Sequence, residues 1–337
     1  MREASDEMFM SEALALARRG EGHTRPNPPV GAVVVKGGRV IGRGWHRRCG
    51  GDHAEVAALK NAARRGASAQ GSTVYVTLEP CSCPGRVGAC TDALAAAGVS
   101  RVVYATRDPN PRNRGRAKRV LAARGIACEA LPPSSAAAKD AARLVAPFAK
   151  FVKTGLPFVT VKIAMSLDGR ICDRFGEARW ISCPAARART GRMRGRVDAV
   201  LVGAETVRRD DPSLLCHASR NDDLVRAVVS ASGRLPAKAR IFTDGAPNTT
   251  LVYRSPREAI EGLGRMGVMH VLCEGGLALA TSLAEAGLVD EWLAVIAPAV
   301  IGARRIGDAL RPFGAVSAAV AGSDAMCTFT LGKEIRK

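Results

Sequence analysis

Between residues 30 and 130, short β-branched runs alternate with Ala- and Leu-rich stretches of helical period, and this alternation constrains the fold more than any other feature. Val30 to Val35 reads as a strand, Gly37-Gly38 as a hairpin turn and Arg39 to Gly44 as the returning strand. A helical pattern, Glu7 to Arg19, precedes them and stops at Gly20. His53 to Arg64, Thr91 to Ala97 and Gly115 to Arg124 read as helices, and Thr73 to Leu78, Val99 to Ala105 and Ile126 to Ala130 as strands. Helices interleaved with strands predict an α/β layer fold with a largely parallel sheet.

The chain has 337 residues, which favours two domains. Pro132-Pro133-Ser134-Ser135, an Ala-rich helical piece and Thr154-Gly155-Leu156-Pro157 mark the linker region, so domains are expected at 1–150 and 151–337. In the second half Phe158 to Ala164, Ala199 to Val202, Val225 to Val229, Arg240 to Phe242, Thr250 to Tyr253, Val268 to Cys273, Trp292 to Ala297 and Cys327 to Leu331 read as strands. Pro184 to Arg194 and Leu277 to Ala286 read as helices.

Hydrophobic residues make up 47% and charged residues 24% of the chain, which excludes wholesale disorder and collagen-like repeats. The longest apolar candidate, Trp292 to Ile301, is broken by Pro298 and too short to span a bilayer, so no membrane association is expected. The first residues carry acid where a secretory leader needs base, and the reading is a cytoplasmic protein. Ten cysteines are too dilute for a disulfide scaffold. The net charge of +19 raises nucleic acid or phosphorylated small molecules as partners. Its bases form no single tract, and the small phosphorylated ligand is the favoured partner over nucleic acid.

Three of the cysteines belong to a pattern with chemical meaning. His53-Ala54-Glu55 opens a helix, Glu79-Pro80-Cys81 follows a strand, and Cys90 starts the next helix nine positions after Cys81. Helix N-termini and a metal both lower a thiol's pKa, so the arrangement favours thiolate ligands. One imidazole, two thiolates and an open position make a catalytic zinc site that activates water. His-x-Glu with Pro-Cys is the signature of zinc-dependent nucleobase deaminases, where the Glu moves protons. Cys83 is only two residues from Cys81, a poor spacing for one tetrahedral ion, so Cys90 is the expected second thiolate.

These motifs, with Pro26-Asn27-Pro28-Pro29-Val30-Gly31, Gly44-Trp45-His46, Gly85-Arg86 and Asp108-Pro109-Asn110-Pro111, resemble the bifunctional riboflavin-biosynthesis deaminase/reductase family. Val161-Lys162, Ser166-Leu167-Asp168-Gly169, Trp180-Ile181, Asp210-Asp211-Pro212 and Glu274-Gly275-Gly276 carry the resemblance through the second half. It implies a cytidine-deaminase-like three-layer domain followed by a dihydrofolate-reductase-like α/β domain. The implied first reaction is hydrolytic deamination of 2,5-diamino-6-(5-phosphoribosylamino)pyrimidin-4(3H)-one, and the second is NADPH-dependent reduction of the ribosyl group to ribityl. The resemblance further implies one Zn2+ held by His53, Cys81 and Cys90, with Glu55 catalytic and Asn27, His46 and Arg86 on the substrate. In the reductase it implies Met165, Trp180, Thr206, Asp210, Gly275 and Gly276 for NADPH, and Arg194, Leu214 and Glu274 for the sugar phosphate. A homo-oligomer is also implied.

Lys162, on the first strand of the second half, is read as orienting the carbonyl that is reduced or relaying its proton. Gly262-Leu-Gly264-Arg-Met-Gly267 satisfies a dinucleotide fingerprint, but it runs from helix into strand, the reverse of the required order. The chain departs from the family pattern at Cys83, where His is usual, and at Ala178, His217 and Ser230-Ala231. A family member that has lost or retargeted its reductase, and a tRNA or nucleobase deaminase with an unrelated second half, are the competing readings. The matched second half and the Cys81-to-Cys90 spacing disfavour the latter.

Overall fold

The computed structural model describes residues 2–83, 88–166, 169–172, 181–216, 221–246, 249–297, 314–321 and 324–330. The chain divides into two compact units, Met1–Gly155 and Leu156–Lys337. The α/β class holds in each.

The first unit is a five-stranded sheet in the order β2-β1-β3-β4-β5. It comprises β1 (Gly31–Lys36), β2 (Arg39–Trp45), β3 (Thr73–Leu78), β4 (Arg101–Thr106) and β5 (Ala127–Ala130). β1 is antiparallel to β2 and β3, while β3, β4 and β5 are parallel. Alternation along β1 sends Val33 and Val35 to one face and Ala32 and Val34 to the other. On the first face they meet Met10 and Leu14 of α1 (Arg2–Ala17) and Ala137, Ala138 and Ala141 of α5 (Ala136–Thr154). On the second they meet α2 (Ala54–Arg64), α3 (Cys90–Ala96) and α4 (Arg116–Ala122) through Ala58, Leu94 and Leu121. The result is a three-layer helix–sheet–helix unit.

The second unit holds an eight-stranded sheet in the order β12-β13-β11-β6-β10-β7-β8-β9. In chain order its strands are β6 (Phe158–Ser166), β7 (Ala199–Gly203), β8 (Val225–Val229), β9 (Thr250–Tyr253), β10 (His270–Cys273), β11 (Glu291–Ala297), β12 (Gly314–Ala321) and β13 (Asp324–Thr330). β6 to β11 pair in parallel, and β13 and β12 close one edge antiparallel. Val159, Val161 and Ile163 pack against α9 (Pro256–Arg265) and α10 (Leu277–Glu285). Val200, Val202 and Leu272 face the other way, onto Val207 of α7 (Ala204–Asp210) and Ile241 of α8 (Arg240–Thr243). Leu293 and Val295 pack with Ala186 of α6 (Pro184–Arg194).

One local expectation changes, and two elements add to the sequence reading. Arg240–Phe242 is the helical turn α8 rather than a strand, because the Asp211 carboxylate accepts from Arg240 N at 2.7 Å and caps it. The Ala-rich helical piece of the linker region is α5, 19 residues long, capped by Ser135 and ended by Gly155 at φ 71°, and the 150/151 division falls within it. The Ala-rich β12 lacks the β-branched pattern that marks the other strands.

Close approach of β2 to α2 places the site-bearing helix. A Cβ on Gly44 would lie 2.3 Å from Ala58 N and 2.5 Å from Ala54 O. Gly44→Ala is therefore expected to displace α2 and lower stability by about 1–3 kcal/mol, read from a denaturant midpoint. An unchanged midpoint would contradict this packing.

In the second unit His270 Nε2 lies 2.9 Å from the Thr160 hydroxyl, which itself donates to Glu291 at 3.0 Å, so the imidazole acts as the donor to Thr160. Burial pushes its pKa down to about 4, from 6.5 in the unfolded chain. Below pH 6.5 the unfolded chain binds the proton first, so stability falls as pH drops from 6.5 towards 4 and levels off below. The loss expected over that window is roughly 3 kcal/mol. His270→Gln should flatten that part of a pH-resolved unfolding series, and an equally steep profile in the variant would contradict it.

Candidate active sites

In the first unit, the chain enters α2 through His53, whose extended backbone (φ −68°, ψ 160°) makes it the residue before the helix. Cys81 follows the end of β3, and Cys90 is the first residue of α3. His53 Nδ1 lies 3.2 Å from Cys90 Sγ and 3.5 Å from Cys81 Sγ, and the three donor atoms all fall within 4.8 Å of one another. Tetrahedral zinc with ordinary bond lengths separates nitrogen and sulfur ligands by about 3.5 Å, so this donor set fits the ion. Cys83 is not in the cluster, and its thiol donates to Arg112 O at 3.2 Å.

The two thiols share one proton: the hydrogen bond to Cys81, burial and the Glu55 charge push the Cys90 thiol up, while Cys81 carries the thiolate. The Cys81 thiol is held down, to about 4, chiefly by hydrogen bonding from Cys90 and also by His53. The Cys90 backbone N–H, at the start of α3, donates to Cys81 Sγ at 3.3 Å. Glu55, in the first turn of α2, is only 3% exposed. Burial, seconded by the Cys81 charge, pushes its carboxyl up to about 7, and its hydrogen bonding and electrostatic partners include Cys90 and Cys81. A group that shares its proton near neutrality and lies in contact with the ligands can move protons there.

His46 and Asn27 form the neighbouring wall. His46 Nδ1 lies 3.0 Å from Asp52 O, so it must carry the proton, and Nε2 then accepts from Asn27 Nδ2 at 3.1 Å. Burial lowers the His46 pKa and keeps the ring neutral, and the ring stands edge-on to His53 with centroids 5.4 Å apart. Arg86 lies outside the described residues.

Glu79 is a supporting residue to which motif reading assigns no role. Its buried carboxylate accepts from Asp108 N at 3.2 Å, Gly115 N at 3.0 Å and Ala117 N at 3.2 Å. It thereby ties the segment after β4 and the start of α4 to the strand end that presents Cys81. A carboxylate directly before Pro-Cys at the end of an apolar strand is the available sequence signal.

In the second unit, three candidate residues form a charged group: Lys162 in the middle of β6, Glu274 directly after β10, and Arg194 at the end of α6. Arg194, at the end of α6, pairs in bidentate fashion with Glu274, at 2.6 Å through Nε and 3.0 Å through Nη2, and also donates to Leu215 O at 3.3 Å. Burial acts to raise the Glu274 carboxyl, but Arg194 outweighs it and the net shift is downward. Burial lowers the Lys162 pKa, Glu274 opposes this and Arg194 reinforces it, which places all three in one field. Leu214 adopts φ 58°, a left-handed conformation held inside the core cluster beneath α7.

Met165 lies near the end of β6, Gly275-Gly276 follow β10, and Thr206 and Asp210 lie on α7 after β7. These strands are parallel neighbours, so their carboxyl ends share one rim, the usual ligand position in such sheets. A Cβ on Gly275 would meet Leu279 Cδ2 at 2.7 Å and Gly203 N at 3.3 Å, whereas one on Gly276 meets nothing within 4 Å. Glycine thus brings two turns together and leaves the N-terminus of α10 open, a setting that fits the pyrophosphate of a dinucleotide. Trp180, Ala178 and His217 lie outside the described residues.

Comparison with known proteins bears on both halves. Residues 3–106 match the family described as the cytidine and deoxycytidylate deaminase zinc-binding region, and residues 157–313 match the RibD C-terminal domain. The riboflavin biosynthesis protein RibD of Escherichia coli K12 is 36% identical over 334 residues, covering 88% of this chain and 89% of that protein. RibD of Mycobacterium tuberculosis H37Rv is 39% identical over 301 residues, covering 87% and 86%. Among solved structures, a diaminohydroxyphosphoribosylaminopyrimidine deaminase/5-amino-6-(5-phosphoribosylamino)uracil reductase from Thermotoga maritima superposes with TM-score 0.88 at 30% identity, covering 98% of this chain and all of that one. Acinetobacter baumannii RibD gives TM-score 0.81 at 32% identity, with coverage of 98% and 100%. With both halves matched in order and most of each relative covered, the chain belongs to the RibD family of riboflavin biosynthesis proteins.

Proposed function

We propose that this chain carries out two consecutive reactions of riboflavin biosynthesis: hydrolytic deamination of 2,5-diamino-6-(5-phosphoribosylamino)pyrimidin-4(3H)-one, then reduction of the ribosyl group of 5-amino-6-(5-phosphoribosylamino)uracil to ribityl. The observation that carries the reading is the convergence of His53, Cys81 and Cys90 beside the buried Glu55, in a chain matched to RibD through both halves. A tRNA deaminase with an unrelated second half does not fit a match that continues over residues 157–313. The deaminase is assigned to the region 1–150 and the reductase to the remainder. The family resemblance favours a homo-oligomer of the cytoplasm, and among the described residues no helix is long and apolar enough to cross a membrane.

His53, Cys81 and Cys90 would hold zinc, which when bound supplies the Lewis acidity that makes water nucleophilic near neutral pH. Glu55 takes a proton from the attacking water and passes it to a ring nitrogen, then takes the remaining proton of the added hydroxyl and delivers it to the amino group, which leaves as ammonia as the carbonyl forms. Asn27 and the neutral His46, linked by their hydrogen bond, present a fixed polar wall to the pyrimidine. Arg86 is assigned to the same substrate.

Met165, Trp180, Thr206, Asp210 and the Gly275-Gly276 turn would hold NADPH, which supplies hydride to the sugar carbon. Lys162 orients the carbonyl or relays its proton, and its lowered pKa eases proton release. Arg194, Leu214 and Glu274 contact the sugar phosphate. Three of the five Arg194 N–H donors are already directed at Glu274 and Leu215, so the pair acts as a preset fork.

The test is to incubate the zinc-loaded protein with the diaminopyrimidine ribotide, with and without NADPH, and follow product masses. Exchange of one amino group for oxygen should occur without NADPH, and gain of two hydrogens only with it. Glu55→Gln should abolish the first step, by at least about 100-fold, with zinc content unchanged. Deamination without reduction would contradict the reductase assignment, and full deaminase activity in Glu55→Gln would contradict the role of that residue.

A further inference from the structure

A second feature of the first unit lies outside the deaminase chemistry. A groove of about 970 Å³ runs between α1, β2 and α2. Seven of its 17 lining residues are Lys or Arg and two are acidic, whereas the whole chain has 50 basic and 31 acidic residues in 337. Bases are therefore concentrated nearly threefold in the groove, and acids are not.

Both acids are already engaged, Glu12 with Arg43 at 2.5 Å and Asp52 with Lys60 at 2.8 Å. That leaves the exposed guanidinium groups of Arg19, Arg47, Arg48, Arg64 and Arg65 with no carboxylate partner among the described residues. Trp45 sits among them, with the Arg47 guanidinium carbon 4.4 Å and that of Arg19 5.1 Å from its ring centroid. Five like charges on one face repel one another, and nothing in the fold needs that repulsion.

Their spacing selects among anions. Arg47 and Arg48 precede α2, while Arg64 and Arg65 stand at its far end, and the 11-residue helix between them is about 16 Å long. A strip of arginines of that length is matched more fully by several phosphates in a row than by one. A chain of regularly spaced phosphates fits such a strip, and the two guanidinium planes held over Trp45 offer stacking surfaces for its bases.

We propose that this groove binds the backbone of single-stranded nucleic acid, as a site separate from the zinc cluster. Arg48, Arg64 and Arg65 contact phosphates, while the guanidinium planes of Arg19 and Arg47, held over Trp45, receive bases, so binding is tolerant of sequence and falls steeply with salt.

The experiment is fluorescence anisotropy of the full-length, zinc-loaded protein with a labelled oligouridylate of about 12 nucleotides, at a series of salt concentrations. Arg64→Gln/Arg65→Gln should weaken binding about tenfold and reduce the slope of log K against log salt by about 1–2. Lys139→Gln/Arg143→Gln, which removes two exposed charges on α5, should leave both quantities unchanged. Both variants should melt like the parent and retain its deaminase rate. Absence of binding by the parent protein, or equal weakening by the two variants, would overturn the proposal, the latter by showing only diffuse attraction to a +19 chain. A groove variant that changes the sedimentation coefficient while binding the oligonucleotide normally would also overturn it, and would assign the face to contact between copies of the chain.

Discussion

The first unit depends on bringing three donor atoms from separate segments to within 4.8 Å of one another. β3 delivers Cys81, the start of α2 delivers His53, and the start of α3 delivers Cys90. Each position is held by contacts already present in the fold. Gly44 lets α2 lie against β2, the Cys90 N–H reaches back to Cys81 Sγ, and Glu79 ties three backbone N–H groups to the residues before Cys81. Hydrogen bonding from Cys90 and His53 favours thiolate at Cys81, and burial of Glu55 beside them holds a carboxyl that shares its proton near neutrality. The chemistry thus follows from where the sheet ends and the helices begin.

The second unit solves a different electrostatic problem. Its parallel strands end on one rim, where small Gly275 allows two turns to approach and the N-terminus of α10 stays open to an anion. Beside it, Arg194, Glu274 and Lys162 share one field, in which burial lowers the Lys162 pKa and Arg194 lowers that of Glu274. Pairing Glu274 with Arg194 keeps the carboxylate ionised and orients the guanidinium, so neither charge is left uncompensated on burial.

Local periodicity made much of this legible in the sequence. β3 and α6 match their expected bounds, Thr73–Leu78 and Pro184–Arg194, because each is bounded by strong turn or capping signals. The metal cluster was readable because His-x-Glu and Pro-Cys are local motifs, and the helix start at Cys90 distinguished it from Cys83. What the sequence concealed depends on distant contacts. Arg240–Phe242 has the apolar content of a strand, yet the carboxylate of Asp211, 29 positions earlier, caps it as a helix. Glu79 acquires its role only when residues 108–117 fold over it. The basic groove was likewise dispersed in sequence, with Arg19 on one side and Arg64 and Arg65 on the other, and only the packing of α1, β2 and α2 gathers it.

Zinc K-edge X-ray absorption on the purified protein tests the donor set most directly. Two sulfur ligands at about 2.3 Å and one imidazole nitrogen at about 2.0 Å are expected, with the remaining coordination from a light atom. Three sulfur ligands would bring Cys83 into the site, and fewer than two would remove Cys81 or Cys90 from it. Either result would contradict the arrangement on which the deaminase chemistry rests.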